Sequence, residues 1–163
     1  MIIRPLQPGD LESVTEIYNE VLTHSTAVFR ETLTTVEERT EWWNTLREKG
    51  YPILVADEAG RVLGFASLAD FRPWPGYRFT VEGTIHLRPD ARGQGIGTSL
   101  LKELISKARG LGKHILIAGV DADNAASLRL LAKAGFEQTA HMREVGYKFG
   151  RYLDLILLQY RLS

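Results

Sequence analysis

Residues 81–112 read VEGTIHLRPDARGQGIGTSLLKELISKARGLG, and this stretch decides the fold. Val81 to Leu87 predicts a strand, which Pro89 stops. Gly93, Gly95 and Gly97 come next, and a helix is expected from about Gly97 to Arg109, with Gly112 marking its end. A glycine-rich turn between strand and helix has two physical uses. It lets the backbone approach a ligand closely, and it presents the first helical N–H groups, which have no internal partner and sit at the positive end of the helix dipole. Together these make a pyrophosphate cradle that needs no metal. The same turn also serves simple close packing of a helix on a sheet. Two common phosphate motifs are absent. No G-x-x-x-x-G-K-[ST] string exists, and the frame that opens at Gly93 closes on Thr98, where a dinucleotide fingerprint carries glycine or alanine.

Working outward, Met1 to Arg4 reads as a short strand ended by Pro5. Asp10 is an N-cap for a helix whose apolar face is Leu11, Val14, Ile17, Val21 and Leu22. Thr35 and Glu38 form a capping box for a second helix carrying Trp42, Trp43 and Leu46. Ile53 to Ala56, the turn Asp57 to Gly60, and Val62 to Leu68 form a hairpin, and a Pro/Gly-rich loop, Arg72 to Arg78, precedes the deciding strand. Beyond the deciding helix come a strand at Ile115 to Val120, a helix at Asn124 to Ala134 ended by Gly135, and closing strands from Phe136 and over Leu153 to Arg161. The order β-α-α-β-β-β-α-β-α-β-β predicts an α/β chain of the α+β kind. Its sheet should be mixed and mostly antiparallel, with helices on both faces.

The 163 residues fit one domain, taken as 1–163, with 44% hydrophobic and 25% charged residues. Cysteine is absent, which excludes disulfide scaffolds, thiolate metal sites and thiol nucleophiles. His24, His86, His114 and His141 are scattered, so no metal site is expected, and no G-x-S-x-G elbow exists. The net charge of +0 argues against nucleic acid as a partner. The N-terminus lacks a signal-peptide apolar region, and stretches such as ILIAGV fall far short of the roughly 20 residues that span a bilayer. A cytoplasmic chain with no membrane partner is expected.

Arg92, Gly95 and Gly97 fit the pattern [RQ]-x-x-G-x-[GA], which resembles the acetyl-CoA pyrophosphate motif of the GNAT N-acetyltransferases. Asn124-Ala-Ala-Ser127 followed by Gly135-Phe136 resembles the second half of that family, and the likeness covers essentially the whole chain. The segments TAVFRETLT (26–34), FRPWPGYRFTVE (71–82) and VGYKFGRYLDLILLQ (145–159) resemble the phosphinothricin and methionine sulfoximine N-acetyltransferase branch. The resemblance implies acetyl-CoA as co-substrate, no metal, a small amino-acid-like acceptor, a homodimer and a detoxifying role. It implies coenzyme contacts along the strand at Ile85, His86 and Leu87, around the turn at Arg92, Gly93, Gln94, Gly95, Ile96, Gly97 and Thr98, and at Asn124. It also implies that backbone groups of Ile85 and Leu87 bond the pantetheine arm and orient the thioester.

An amine must lose a proton before it attacks a thioester. The resemblance implies Glu82 as that base, acting directly or through water; the bland alternative is a strand glutamate facing solvent or paired with Arg78. Alternation sets Glu82, Thr84 and His86 on one strand face, with Val81, Ile85 and Leu87 on the other. Arg72, Pro75, Gly76 and Tyr77 are expected to border the acceptor, since an arginine can clamp a carboxylate bidentately. The alternative there is a surface loop with Trp74 packed on the core. Lys148 and Arg151 are read as part of a turn between late strands, the alternative being a contact with the acceptor. Many family members place a tyrosine acid on the helix after the asparagine, but Leu130 and Leu131 stand there, so solvent is left to protonate the thiolate. The competing readings are a transferase for protein N-termini or lysines, a non-catalytic acyl-CoA-binding module, and a nucleotide-binding domain, the last weakened by the missing acidic ribose contact.

Overall fold

The computed structural model describes all 163 residues. Ile2–Pro5 (β1) begins the sheet, and the arginine within it anchors the approach to the first helix. Arg4 donates from Nη1 and Nη2 to the two Asp10 oxygens at 2.7 and 2.9 Å, and from Nε to Asp57 at 2.9 Å. Asp10 also accepts the Gln7 N–H, closing the short 3-10 turn Pro8–Asp10. Its side chain makes no cap on helix α1 (Leu11–His24), which corrects the reading from sequence: a bidentate guanidinium is a stronger partner than a helix N–H. Helix α2 (Val36–Glu48) gets half of its expected capping box. Thr35 Oγ1 accepts Glu38 N–H at 3.1 Å, but the Glu38 carboxylate turns to Arg30 and Thr34 instead.

Strands β2 (Ile53–Glu58) and β3 (Arg61–Asp70) extend the expected hairpin, so Asp57 lies in the strand and the turn shrinks to Ala59–Gly60. The chain continues through β4 (Thr80–Leu87), α3 (Ile96–Gly110), β5 (Ile115–Asp121), α4 (Ala125–Ala134), β6 (Glu137–Lys148) and β7 (Arg151–Arg161). The spatial order is β1-β2-β3-β4-β5-β7-β6. Every ladder is antiparallel except β4–β5. This is the mixed, mostly antiparallel sheet that the element order implied.

Helices cover both faces. On one, Leu100, Leu101, Leu104 and Ile105 of α3 are buried in the core. Each such side chain contributes about 2 kcal/mol by leaving water. On the other, Tyr18 of α1 and Trp42 of α2 meet Phe65 and His86 edge-on. Arg39 lies between Tyr18 and Trp42, 4.3 and 4.7 Å from the ring centroids. At the far edge, Phe149 and Gly150 join β6 to β7 with φ of 53° and 75°, the left-handed geometry that suits a two-residue hairpin turn. No helix is long and apolar enough to cross a membrane.

Replacing Arg4 with methionine leaves two carboxylates facing each other without their cation. It should lower unfolding stability by about 2–4 kcal/mol in urea denaturation at neutral pH. A loss under about half a kcal/mol would mean the network is incidental to the fold.

Candidate active site

Thr80, Val81 and Glu82 pair with Ile115, Leu116 and Ile117, and there the parallel ladder ends, although β4 runs on to Leu87 and β5 to Asp121. The neighbouring ladders fix where the unpaired groups point. Arg88 N–H donates to Leu63 O at 2.8 Å, so the even-numbered residues of β4 bond β3, while Ile85 and Leu87 turn their backbone groups toward β5. Leu162 N–H donates to His114 O at 2.8 Å, so by the same rule Gly119 faces back across the gap.

The gap forms a slot through the sheet. Its inner part, about 120 Å³, has Leu101 and Leu104 on the α3 side and Ala27 and Val28 on the other, with Thr84 and Gly119 between. It continues into a cleft of about 790 Å³ along the start of α3. Ile85, His86, Leu87, Arg92, Gly93, Gly95, Ile96, Gly97, Thr98 and Asn124 all line this cleft. Gln94 does not line it: its Nε2 donates to Asp90 O at 2.8 Å and fastens the turn from outside.

Gly95 has φ of 79° and precedes α3 with no side-chain cap. A Cβ built there meets no protein atom within 4 Å, so it would stand in open space. The first N–H groups of α3 therefore lack a side-chain partner, and Arg92 beside them makes no ion pair. An anion fits this arrangement. Asn124 caps α4, its Oδ1 accepting Ser127 N–H at 3.2 Å, and its amide nitrogen has no protein partner. No tyrosine lines either part of the cleft, and Leu130 stands where an acid was sought. The His86 ring packs on Tyr18 and Phe65. Burial, with the charges of Arg39 and Arg92, lowers its pKa to about 4 and leaves it neutral near pH 7.

Glu82 shares its strand face with Thr84 and His86, and no protein group donates a hydrogen bond to its carboxylate. Burial raises its pKa, and the charge of Arg72 pulls the other way. It is not paired with Arg78, which donates to Pro75 O at 3.0 Å and lies over Phe79. Arg72 donates to Phe71 O and has no carboxylate partner. Arg72, Pro75, Gly76 and Tyr77 line neither part of the cleft; only the charge of Arg72 reaches Glu82. Trp74 is 71% exposed, so it does not pack on the core.

Several cleft residues were not singled out from sequence. Ser25, Thr26 and Ala27 roof the cleft, and Asp121, at the end of β5, accepts the Thr26 hydroxyl. Lys148 is the last residue of β6, beside the expected turn between the late strands. It is fully buried, and burial holds its pKa below the usual lysine value. Arg151 lines the cleft and meets Asp123 at 3.3 Å. One signal for Asp121 was readable: an acidic residue closing an apolar strand. No cluster of three or more His, Asp or Glu side chains converges to hold a metal.

A family model described as the acetyltransferase (GNAT) domain matches residues 1–137. The chain belongs to the GNAT acetyltransferases. It is 42% identical over 163 residues to an L-methionine sulfoximine/L-methionine sulfone acetyltransferase of Salmonella typhimurium, spanning 100% of this chain and 95% of that GNAT relative. A phosphinothricin acetyltransferase of Sinorhizobium meliloti, solved in complex with AcCoA, superposes with a TM-score of 0.96 at 39% identity, over 99% of this chain and 88% of that one. A ribosomal-protein-alanine N-acetyltransferase of Brucella melitensis does so with a TM-score of 0.97 at 42% identity, over 99% of each chain.

The Glu82 carboxyl should titrate above the 4.5 of a free glutamate when followed by carbon NMR. Because Arg72 favours the carboxylate, Arg72→Ala should raise that midpoint further. A midpoint that stays put would separate the two groups electrostatically.

Proposed function

We propose that this GNAT protein is an acetyl-CoA-dependent N-acetyltransferase acting on the α-amine of a small amino-acid analogue of the phosphinothricin, methionine sulfoximine or methionine sulfone type. The observation that carries the reading is the slot through the sheet. It has an anion cradle at one end, unpaired strand backbone along its length and the half-buried Glu82 beside its narrow part.

Bound acetyl-CoA supplies the thioester that the amine attacks. Arg92 and the α3 N-terminus, at Gly93, Gly95, Ile96, Gly97 and Thr98, hold the pyrophosphate. The backbone of Ile85 and Leu87, with the Asn124 amide, would hold the pantetheine arm. Glu82 takes the amine proton as base. Its lack of a protein donor leaves the carboxylate free for an acceptor, and burial strengthens it as a base. As the N–C bond forms and the C–S bond breaks, a backbone N–H on the open edge of β4 is the group suited to steady the carbonyl oxygen. Solvent protonates the departing thiolate. Arg72, with no partner of its own, takes the acceptor carboxylate, and Pro75, Gly76 and Tyr77 shape its approach.

Residues 1–163 act as one catalytic domain, since one sheet runs through them all. We extend the reading to a cytoplasmic homodimer with a detoxifying role. Trp74 and Tyr152, 71% and 66% exposed, are aromatic surface suited to a second copy, whereas Phe29 is taken up by packing on Gly146. A second reading, acetylation of protein N-termini, has one specific support: the 42% identity to the ribosomal-protein-alanine enzyme.

An acceptor panel read by thiol release separates the two. Turnover on methionine sulfone and phosphinothricin, without turnover on an alanine-terminated peptide, supports the first; the reverse replaces it with the second. Glu82→Gln should lower kcat about a hundredfold or more with little change in acetyl-CoA affinity. In the parent enzyme activity should fall as pH drops through the raised Glu82 pKa, because the base is then protonated, and this acid limb should vanish in Glu82→Gln. Equal losses of turnover and affinity would make Glu82 structural. Gly95→Val should weaken acetyl-CoA binding at least about tenfold by calorimetry, as its side chain enters the anion space and its φ becomes strained. Unchanged affinity would remove the cradle from the scheme.

A further inference from the structure

The residues Ser25–Phe29, between α1 and α2, bridge the open side of the slot. Ser25, Thr26 and Ala27 line the wide cleft, and Ala27 and Val28 line the narrow part. This segment is neither helix nor strand, so no ladder holds it. It is held instead by features of the C-terminal strands. Lys148 at the end of β6 is fully buried with no carboxylate partner, and its Nζ donates to Ser25 O at 2.6 Å and to Val28 O at 2.8 Å. A desolvated ammonium is costly to keep, and here two carbonyls of the bridge are its hydrogen-bond partners. Asp121, 2% exposed, accepts the Thr26 hydroxyl from β5. Gly146, two residues before Lys148, admits the Phe29 ring so closely that a Cβ there would stand 2.4 Å from two ring carbons. Consecutive parts of the bridge are thus fixed at both ends and in the middle.

We propose that Lys148 is a positioning residue: with Asp121 and Gly146 it clasps Ser25–Phe29 into a rigid roof that sets the width of the slot, and hence the affinity for acetyl-CoA, without touching the reacting atoms. This rests on the acetyl-CoA reading above. Lys148 matters because its Nζ carries enough N–H donors to serve two carbonyls at once and so holds both sides of the roof. Its effect belongs in coenzyme binding and not in turnover, since Glu82 lies on the central strand and does not depend on the roof for its place in the sheet.

The test uses the full chain, with acetyl-CoA titrated calorimetrically and steady-state kinetics measured well below the melting temperature. Lys148→Met should raise both Kd and KM for acetyl-CoA about tenfold, while kcat at saturating coenzyme stays within about threefold. Lys148→Arg should recover part of the affinity. Gly146→Ala pushes the roof through Phe29 from outside the cleft and should shift affinity in the same direction; it decides the matter if Lys148→Met does not fold. Folded variants that melt earlier but bind acetyl-CoA as the parent does, or that lose kcat at unchanged KM, overturn the proposal. A parent chain that does not bind acetyl-CoA would instead sink the functional reading, and the roof with it.

Discussion

The early end of the β4–β5 ladder is the constraint on which the rest of the molecule depends. A central pair of strands in a sheet would normally satisfy its backbone groups along its full length, because a buried, unpaired N–H or C=O is expensive. Here only Thr80, Val81 and Glu82 find partners on β5. The edges beyond must meet water or a ligand, so the sheet is built around a vacancy in its own hydrogen bonding. The glycine turn begins where β4 leaves that vacancy, and α4 begins where β5 leaves it. Both helix N-termini therefore open on the same cleft by topology alone.

Charged side chains hold the parts that hydrogen-bonded ladders do not. Arg4 ties the β1–β2 pair to the entry of α1 through two carboxylates, and Lys148 ties the exit of α1 to β6 through two carbonyls. The first is a compensated network near the surface; the second is a lone cation in the interior. Glu82 differs from both, since no protein hydrogen-bond donor satisfies its carboxyl group and burial raises its pKa. A strand carboxylate in the middle of the sheet with no hydrogen-bond donor is hard to explain as structure alone.

Much of this was legible in the sequence because it is local. The strand, turn and helix around Gly95, the helix that ends at Gly135 and the side-chain alternation of β4 come from spacing over a few residues, and the structure reproduces them. The capping roles of Asp10 and Glu38 were misjudged because each has a nearby arginine, Arg4 or Arg30, that competes better than a helix N–H. Lys148 was illegible for a different reason. Its partners lie more than a hundred residues away in the chain, and nothing in KFGRY signals that the lysine points inward. Gln94 shows the limit of a motif: a residue inside a recognised pattern can be spent on holding the loop's own backbone.

The break in the ladder also has a mechanical meaning. The sheet is two leaves, β1–β4 and β5–β7–β6, joined at a three-residue hinge near one end of the seam. Opening such a seam breaks few hydrogen bonds, so amide exchange should be fast along the free edges of Ile85, Leu87 and Gly119, though they sit in the middle of the fold. A ligand arm lying in the seam and bonded to both leaves would act as the missing rung. Stiffness across the sheet would then belong to the complex and not to the polypeptide alone, and the leaves would be locked together only while that arm is in place.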